Sequence, residues 1–332
     1  MKDQERNSAV SEFERRLVHG VRRLTRPGDG VLVAVSGGAD SVSLFTGLVR
    51  SAHLTQVRIA VAHIDHGLRP GSANEADQVG ALCQQFGVDF HVRQLYLAPG
   101  SGIEARARTA RYEALETIRR SLSAQHVATA HTASDQAETV LMRLIRGASL
   151  HGVAGIVPAR SDRVIRPLLF ASRAEVLAYV KAMALPIIVD PMNCDPQFLR
   201  VRIRDHVLPA LNHAAGFNAE RALSRFAQHA AEDEAWLDAN AARAFDEVRR
   251  DGESLDIDAV GALVRPLARR VLKQFLKRAG IAPDSELIDE VFPVIEGLIR
   301  ARFLVPQDSR DAEPIKPRFN VGDRVAGSIV VQ

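Results

Sequence analysis

Four short strand-like runs set the frame for the first half of the chain. They are Val31-Leu32-Val33-Ala34-Val35, Val57-Arg58-Ile59-Ala60-Val61-Ala62, Phe90-His91-Val92-Arg93-Gln94-Leu95 and His126-Val127-Ala128-Thr129-Ala130, starting roughly 26 to 36 residues apart. A continuous apolar run of this length suits a strand covered on both faces, and each gap holds one crossover helix. The candidate helices are Asp40–Arg50, Ala73–Phe86, Ile103–Ser121 and Ser134–Arg146. Alternating strand and helix predicts an α/β fold, an open parallel sheet with helices on both faces. Ligands of such sheets bind at the carboxyl ends of the strands.

The pattern changes after about Pro209. Asn218 to Arg250 is long, charged and alanine-rich with helical spacing, and further helices are expected over Val264–Ala279 and Ser285–Arg300. With a hinge near Asn212–Phe217, the expected organisation is a catalytic domain over 1–215 and a smaller helical domain over 216–301. Residues 302–332 are then a tail or a clipped small domain, with a β-like ending at Ser328 to Val331. At 332 residues, 46% of them apolar, the chain can bury two such cores. No apolar run approaches the ~18 residues of a membrane span, so no membrane partner is expected. The start, Met1 to Ser11, is polar and lacks the apolar core of a secretion signal. Cys83 and Cys194 lie 111 positions apart, which argues against a disulfide framework and for a cytoplasmic location. A net charge of +3 is compatible with nucleic acid and does not require it.

Between the first strand and the first helix lies Ser36-Gly37-Gly38-Ala39-Asp40-Ser41. Two glycines let the backbone turn tightly and approach a ligand. The helix start offers free N–H groups and the positive end of its dipole, a cradle suited to phosphate. Ser36 and Ser41 add hydroxyls. Asp40 does not suit a bare anion site, because a carboxylate repels phosphate; it suits one in which Mg²⁺ lies between them. On its own the segment reads equally as a glycine-rich turn with Asp40 as a helix N-cap. It matches neither the GxxxxGK[ST] nor the GxGxxG pattern. After a buried strand, SGGxDS resembles the PP-loop ATP pyrophosphatases. That resemblance implies ATP as co-substrate, held at residues 36–41 and cleaved between its α and β phosphates.

Three more segments gather polar groups where strands end. The second strand runs into His63-Ile64-Asp65-His66-Gly67-Leu68-Arg69. HxDH can ligate zinc, yet no other His or Cys follows at ligand spacing, and a polar turn is the plainer alternative. Gly102-Ile103-Glu104-Ala105-Arg106-Ala107-Arg108-Thr109-Ala110-Arg111-Tyr112 opens a helix and, alone, reads as a solvated basic face. The fourth strand leads into Ala130-His131-Thr132-Ala133-Ser134-Asp135-Gln136-Ala137-Glu138-Thr139. His131, Asp135 and Glu138 share one face of a helix that starts early enough. A histidine and two carboxylates at the mouth of a sheet favour a site over packing. Leu141 to Gly147, Arg166-Pro167-Leu168-Leu169, Asp190-Pro191-Met192-Asn193, Arg200-Val201-Arg202-Ile203-Arg204 and Leu208-Pro209 follow.

Taken in order over about residues 28 to 211, these segments resemble the tRNA(Ile)-lysidine synthase family. Three positions depart from its usual pattern: Ser134 stands where the family has a first Asp, Thr132 where it often has His or Asn, and Val201 where it usually has Asn. The resemblance implies two steps. The C2 carbonyl oxygen of a cytidine in a CAU anticodon attacks the α-phosphorus of ATP, and pyrophosphate leaves. The ε-amine of lysine then displaces AMP at C2. The implied partners are tRNA(Ile) with a CAU anticodon and L-lysine, and a homodimer is left open. The implied catalytic residues are Asp40, which also holds Mg²⁺, with Arg111, His131, Asp135 and Glu138. Asp65, His66 and Arg69 join the loop around the nucleotide. Lysine's amine has a free pKa of about 10.4, so it arrives protonated and needs a group to take its proton. Arg200, Arg202 and Arg204 are candidates for tRNA, or equally an exposed helix face. A different PP-loop tRNA-modifying or amidating enzyme is the rival reading; a related thiolase generally uses paired cysteines, which this chain lacks.

Overall fold

In this computed structural model the first strand-like run becomes the centre of a five-stranded sheet. The structure describes residues 2–65, 72–96, 98, 100–189, 195–251, 254–281, 288, 291–293 and 318–320. A helix not expected from the sequence comes first, α1 (Lys2–Leu24). Then follow β1 (Gly30–Ala34), α2 (Ala39–Arg50), the short α3 (Ala52–Thr55), β2 (Arg58–Asp65), α4 (Ser72–Phe86), β3 (Asp89–Gln94) and α5 (Ile103–Ser121). The series continues with β4 (His126–Ala128), α6 (Ala133–Ile145), the short α7 (Leu150–Val153), β5 (Val164–Ile165) and α8 (Arg173–Ala182). The strand order is β3-β2-β1-β4-β5, and every pairing is parallel. Order reverses at β1, which pairs with β2 on one side and β4 on the other. A crevice at the carboxyl ends of β1 and β4 is where such a sheet binds ligand.

Alternation along β1 sends its side chains to two cores. Val31, Val33 and Val35 pack with Phe13 and Leu17 of α1, Phe45 of α2, Val79 of α4 and Tyr179 of α8. Leu32 turns the other way, to Leu115 of α5, Val127 and Val164. Helices therefore cover both faces, with α5 on one and α1, α2, α4 and α8 on the other. β5 and α8, like α1, are absent from the sequence expectations. β5 has only two residues, too few to show a period. α8 did carry a signal, since Ser172 and Glu175 cap its start reciprocally.

Beyond α8 run α9 (Leu199–Arg202), a π-helical turn (Ile203–Val207), α10 (Leu208–Ala215) and α11 (Ala219–Val248). Gly216, at φ +71°, ends α10 within the segment where a hinge is expected. The chain nevertheless divides into compact units later, as 1–231 and 232–332. The first turns of α11 belong with the first unit because Ser224 Oγ donates to Ala133 O at 3.0 Å and Leu223 packs with Ala137, Ile203 and Leu208.

The second unit has its own core. Phe245 and Val248 of α11 pack with Leu255, Val271, Leu272 and Phe275. Its described elements after α11 are β6 (Arg249–Asp251), β7 (Ser254–Asp256), α12 (Ile257–Ala262), α13 (Arg265–Arg278) and β8 (Arg318–Asn320). The three strands form a small antiparallel sheet. α13 buries Ala268, Val271, Leu272, Phe275 and Leu276, the spacing of one helical face. The expected helix at 285–300 and the tail at 302–332 lie outside the described residues, apart from 288, 291–293 and 318–320. Among the described residues no helix is long and apolar enough to cross a membrane.

Candidate active site

The turn after β1 is built by backbone demands. Val35 N–H donates to Ala62 O at 2.9 Å, which carries the β1–β2 ladder up to the turn. Gly37 then takes φ +88°, a region that disfavours a side chain, and a Cβ there would lie 2.3 Å from Ile188 Cδ1. Ile188 N–H donates to Gly37 O at 2.9 Å and holds the turn from outside. Ser41 Oγ accepts from Ser36 N–H at 3.1 Å and donates to Gly38 O at 3.0 Å. Gly38, the N-cap of α2, offers no side chain to the first-turn N–H groups. A loop of this kind presents free donors and a positive helix end to an anion.

Asp40 stands in that first turn. Its carboxyl is pushed up to about 6, first by burial and then by the nearby charge of Asp135, against the pull of Arg173 and Arg200. Two carboxylates crowded in this way are hard oxygen donors, the type that Mg²⁺ takes. The residues therefore fit a divalent ion between the loop and α6.

Across the crevice, Thr132 caps α6. Its side chain accepts from Asp135 N–H at 3.2 Å, while Asp135 Oδ2 accepts from Thr132 N–H at 2.7 Å. The other oxygen of Asp135 takes Arg200 Nη2 at 2.6 Å. Arg200 Nε donates to Glu138 Oε2 at 2.5 Å, and Glu138 is only 4% exposed. Burial raises the Glu138 pKa and the Arg200 charge works against that rise. Arg200, expected from the sequence to face tRNA, is thus the counter-ion of the two carboxylates. Arg202 donates to the carbonyls of Pro196 and Gln197 at 2.8 and 2.7 Å, and Arg204 pairs with Asp205 at 2.8 Å.

His131 Nδ1 lies 3.0 Å from Thr129 Oγ1. Burial lowers the His131 pKa to about 4; Asp135 opposes this, while Arg166, Arg108 and Arg111 reinforce it. The imidazole is therefore neutral at physiological pH, under the opposed influence of the Asp135 carboxylate and three guanidiniums. Asp65 closes β2 and is buried, and His63 Nδ1 meets Val35 O at 2.9 Å. His66 and Arg69 lie outside the described residues, as do residues 190–194. The sequence reading did not name Arg173, whose charge bears on Asp40, or Arg108, whose charge bears on His131. The spacing of Arg108 three places before Arg111 was the available signal.

Residues 9–211 match the model of the PP-loop domain family. The tRNA(Ile)-lysidine synthase of Salinispora tropica is 39% identical over 283 residues, covering 83% of this chain and 84% of that one. This chain belongs to the tRNA(Ile)-lysidine synthase family. The tRNA(Ile)-lysidine synthase of Gloeobacter violaceus, 36% identical, covers 89% of this chain and 92% of its own. Among solved structures, the U34-tRNA thiolase NcsA from Methanococcus maripaludis with its [4Fe-4S] cluster shares the fold. Its TM-score is 0.58 and its identity 17%, over 68% of this chain and 80% of that one.

Within the family, the departures at 132 and 134 have local explanations here. Thr132 is a competent N-cap. Ser134 Oγ donates to Glu220 Oε2 at 2.5 Å and accepts from Arg173 N–H at 2.9 Å. An aspartate at 134 would set one carboxylate against another. Val201 is simply buried, at 7% exposure.

Proposed function

We propose that this chain uses ATP to join L-lysine to C2 of the wobble cytidine of tRNA(Ile) bearing a CAU anticodon, releasing AMP and pyrophosphate. The observation that carries the reading is the meeting of the phosphate loop and Asp40 with the Asp135–Glu138 pair at the ends of β1 and β4, in a chain of this family. In the first step the loop N–H groups and the hydroxyls of Ser36 and Ser41 bind phosphate oxygens, and Arg111 adds positive charge at phosphate or at the activated cytidine. A bound Mg²⁺, held by Asp40, would supply charge neutralisation of the phosphates.

In the second step lysine enters as an ammonium. Asp135 and Glu138 already hold a cation, the Arg200 guanidinium, so their oxygens are arranged for an N–H donor. An incoming ammonium shares or displaces Arg200, and a carboxylate beside it accepts the proton before attack. Neutral His131 is a second group able to accept it. The single-stranded anticodon loop lets the target base leave its stack at modest cost. The second unit adds a basic surface for the rest of the tRNA, most densely on α13, which carries six Arg or Lys and no acid in Arg265–Arg278.

The test is incubation of the pure protein with ATP, Mg²⁺, radiolabelled lysine and bulk bacterial tRNA. Label in the tRNA fraction, absent when glutamine or ammonia replaces lysine, is the expected result. ATP turnover with no lysine transfer to any tRNA would overturn the reading.

A further inference from the structure

A second concentration of charge, that of Arg166, Arg108 and Arg111, also bears on His131. The guanidiniums of Arg160, Arg108 and Arg111 lie 4.9, 5.2 and 5.3 Å from the centre of the Tyr112 ring. Arg166 stands beside them, 5% exposed, with Nη1 donating to Val157 O at 2.5 Å and a buried Nε that has no hydrogen-bond partner among the described residues. Burial alone would raise the Tyr112 pKa, yet Arg108, Arg111, Arg166 and Arg160 together lower it. Four like charges around one ring repel each other, and such a cluster is stabilised when an anion enters it.

The placement of the cluster says which anion. Arg108, Tyr112 and Arg160 also line a groove of about 760 Å³ between α5 and the segment at 160–164. No residue of α2 or of the phosphate loop lines it. It opens along the flank of α5, which covers the sheet face opposite to α2. ATP phosphates at the turn after β1 would thus leave this groove to a different ligand, one that is anionic and continues from the site outwards along the surface. Of the acids that line it, Glu116 pairs with Arg119 and Arg120 at 2.6 Å, Asp162 is held by Arg160 in a half-exposed pair that a phosphate can outcompete, and Glu113 is exposed to solvent, where its charge is screened.

We propose that Arg108 and Arg160, both beside the Tyr112 ring, bind a backbone phosphodiester of the RNA strand next to the nucleotide being modified, at a site separate from the ATP phosphate loop. The inference rests on the proposed function, since it assumes an RNA substrate in this crevice. A phosphodiester clamped there fixes the register of the strand without reading its sequence. It also places positive charge beside neutral His131.

The experiment measures tRNA affinity across a salt series for the full chain and for Arg160→Ala, Arg160→Lys and Arg108→Ala, together with KM for ATP and lysine at saturating tRNA. Each alanine variant should weaken tRNA binding about ten-fold. It should also lower the slope of log affinity against log salt by about one, the value for one lost phosphate contact. Arg160→Lys should keep the slope, and in both Arg160 variants KM for ATP and lysine should stay within about two-fold. Unchanged tRNA affinity and slope in both alanine variants would overturn the inference, as would a loss confined to ATP. A wild-type chain that neither bound tRNA nor transferred lysine would instead overturn the proposed function, and this inference with it.

Discussion

Asp40 holds its proton far above the ordinary carboxylate range because it is part-buried and faces Asp135. A folded-state pKa near 6, against 3.8 for a free aspartate, means that the folded state binds the proton more tightly than the unfolded chain. The associated stability is present below about pH 4 and is lost as pH rises through about 6. Asp40→Asn removes that loss. In the absence of divalent ions it should raise stability at pH 8 by on the order of 1–2 kcal/mol, after allowance for partial exposure, and change little at pH 4. Pyrophosphate release should collapse in the same variant. Thermal melts at both pH values, with chelator present, check the sign; equal melting of the two proteins at pH 8 would remove the basis for Asp40 as an ion ligand. Glu138 is the cleaner probe of lysine capture, because Asp135 also caps α6. Glu138→Gln should raise KM for lysine about ten- to a hundred-fold, the worth of a charge-assisted pair, while pyrophosphate release without lysine persists. A lysine KM within two-fold of wild type would place the lysine elsewhere.

At the scale of elements, the crevice depends on how α6 is tied to its neighbours. Ala133 N–H donates to Ala171 O at 2.7 Å, and Ser134 joins the α8 start to Glu220 in the first turn of α11. Ser134 is 5% exposed, so the bond to Glu220 is made where water does not compete. Ser134→Asp should therefore destabilise the chain by about 1–3 kcal/mol, since it buries a carboxylate against Glu220. Pairing it with Glu220→Gln should recover at least half of that cost, a non-additivity that a double-mutant cycle of denaturant midpoints reads directly. Strict additivity would show that the two side chains do not act on each other.

At the scale of the molecule, two cores divide the work. The first unit holds the phosphate loop, the carboxylates and the arginine cluster, and the second carries the basic outer face of α13. Lys273 and Lys277 lie one helical turn apart on that face. Lys273→Glu with Lys277→Glu should weaken tRNA binding about ten-fold or more at 0.1 M salt and flatten its salt dependence, because two phosphate contacts are lost and two repulsions gained. KM for ATP should not change. A double variant that binds tRNA normally would confine RNA recognition to other surfaces.

The sheet and its crossover helices were legible in the sequence because short-range physics writes them there. Continuous apolar runs of strand length, helix-length gaps between them and a pair of glycines at the turn after the first run are all local constraints. They placed residues 36–41 after the first strand and His131, Asp135 and Glu138 after the fourth, and the motif order pointed to the family. Only the tertiary structure decided what each charged side chain faces. Arg200 is 62 positions from Glu138 in the chain, and no periodicity links them; their ion pair exists because α9 packs against α6. The same holds for Arg160 over Tyr112, brought together across β4 and β5. It also holds for the division of the chain at 231 rather than 215, which turned on the contacts of Glu220, Leu223 and Ser224. Charge partners are set by long-range packing, where a sequence shows the side chains but not the distances between them.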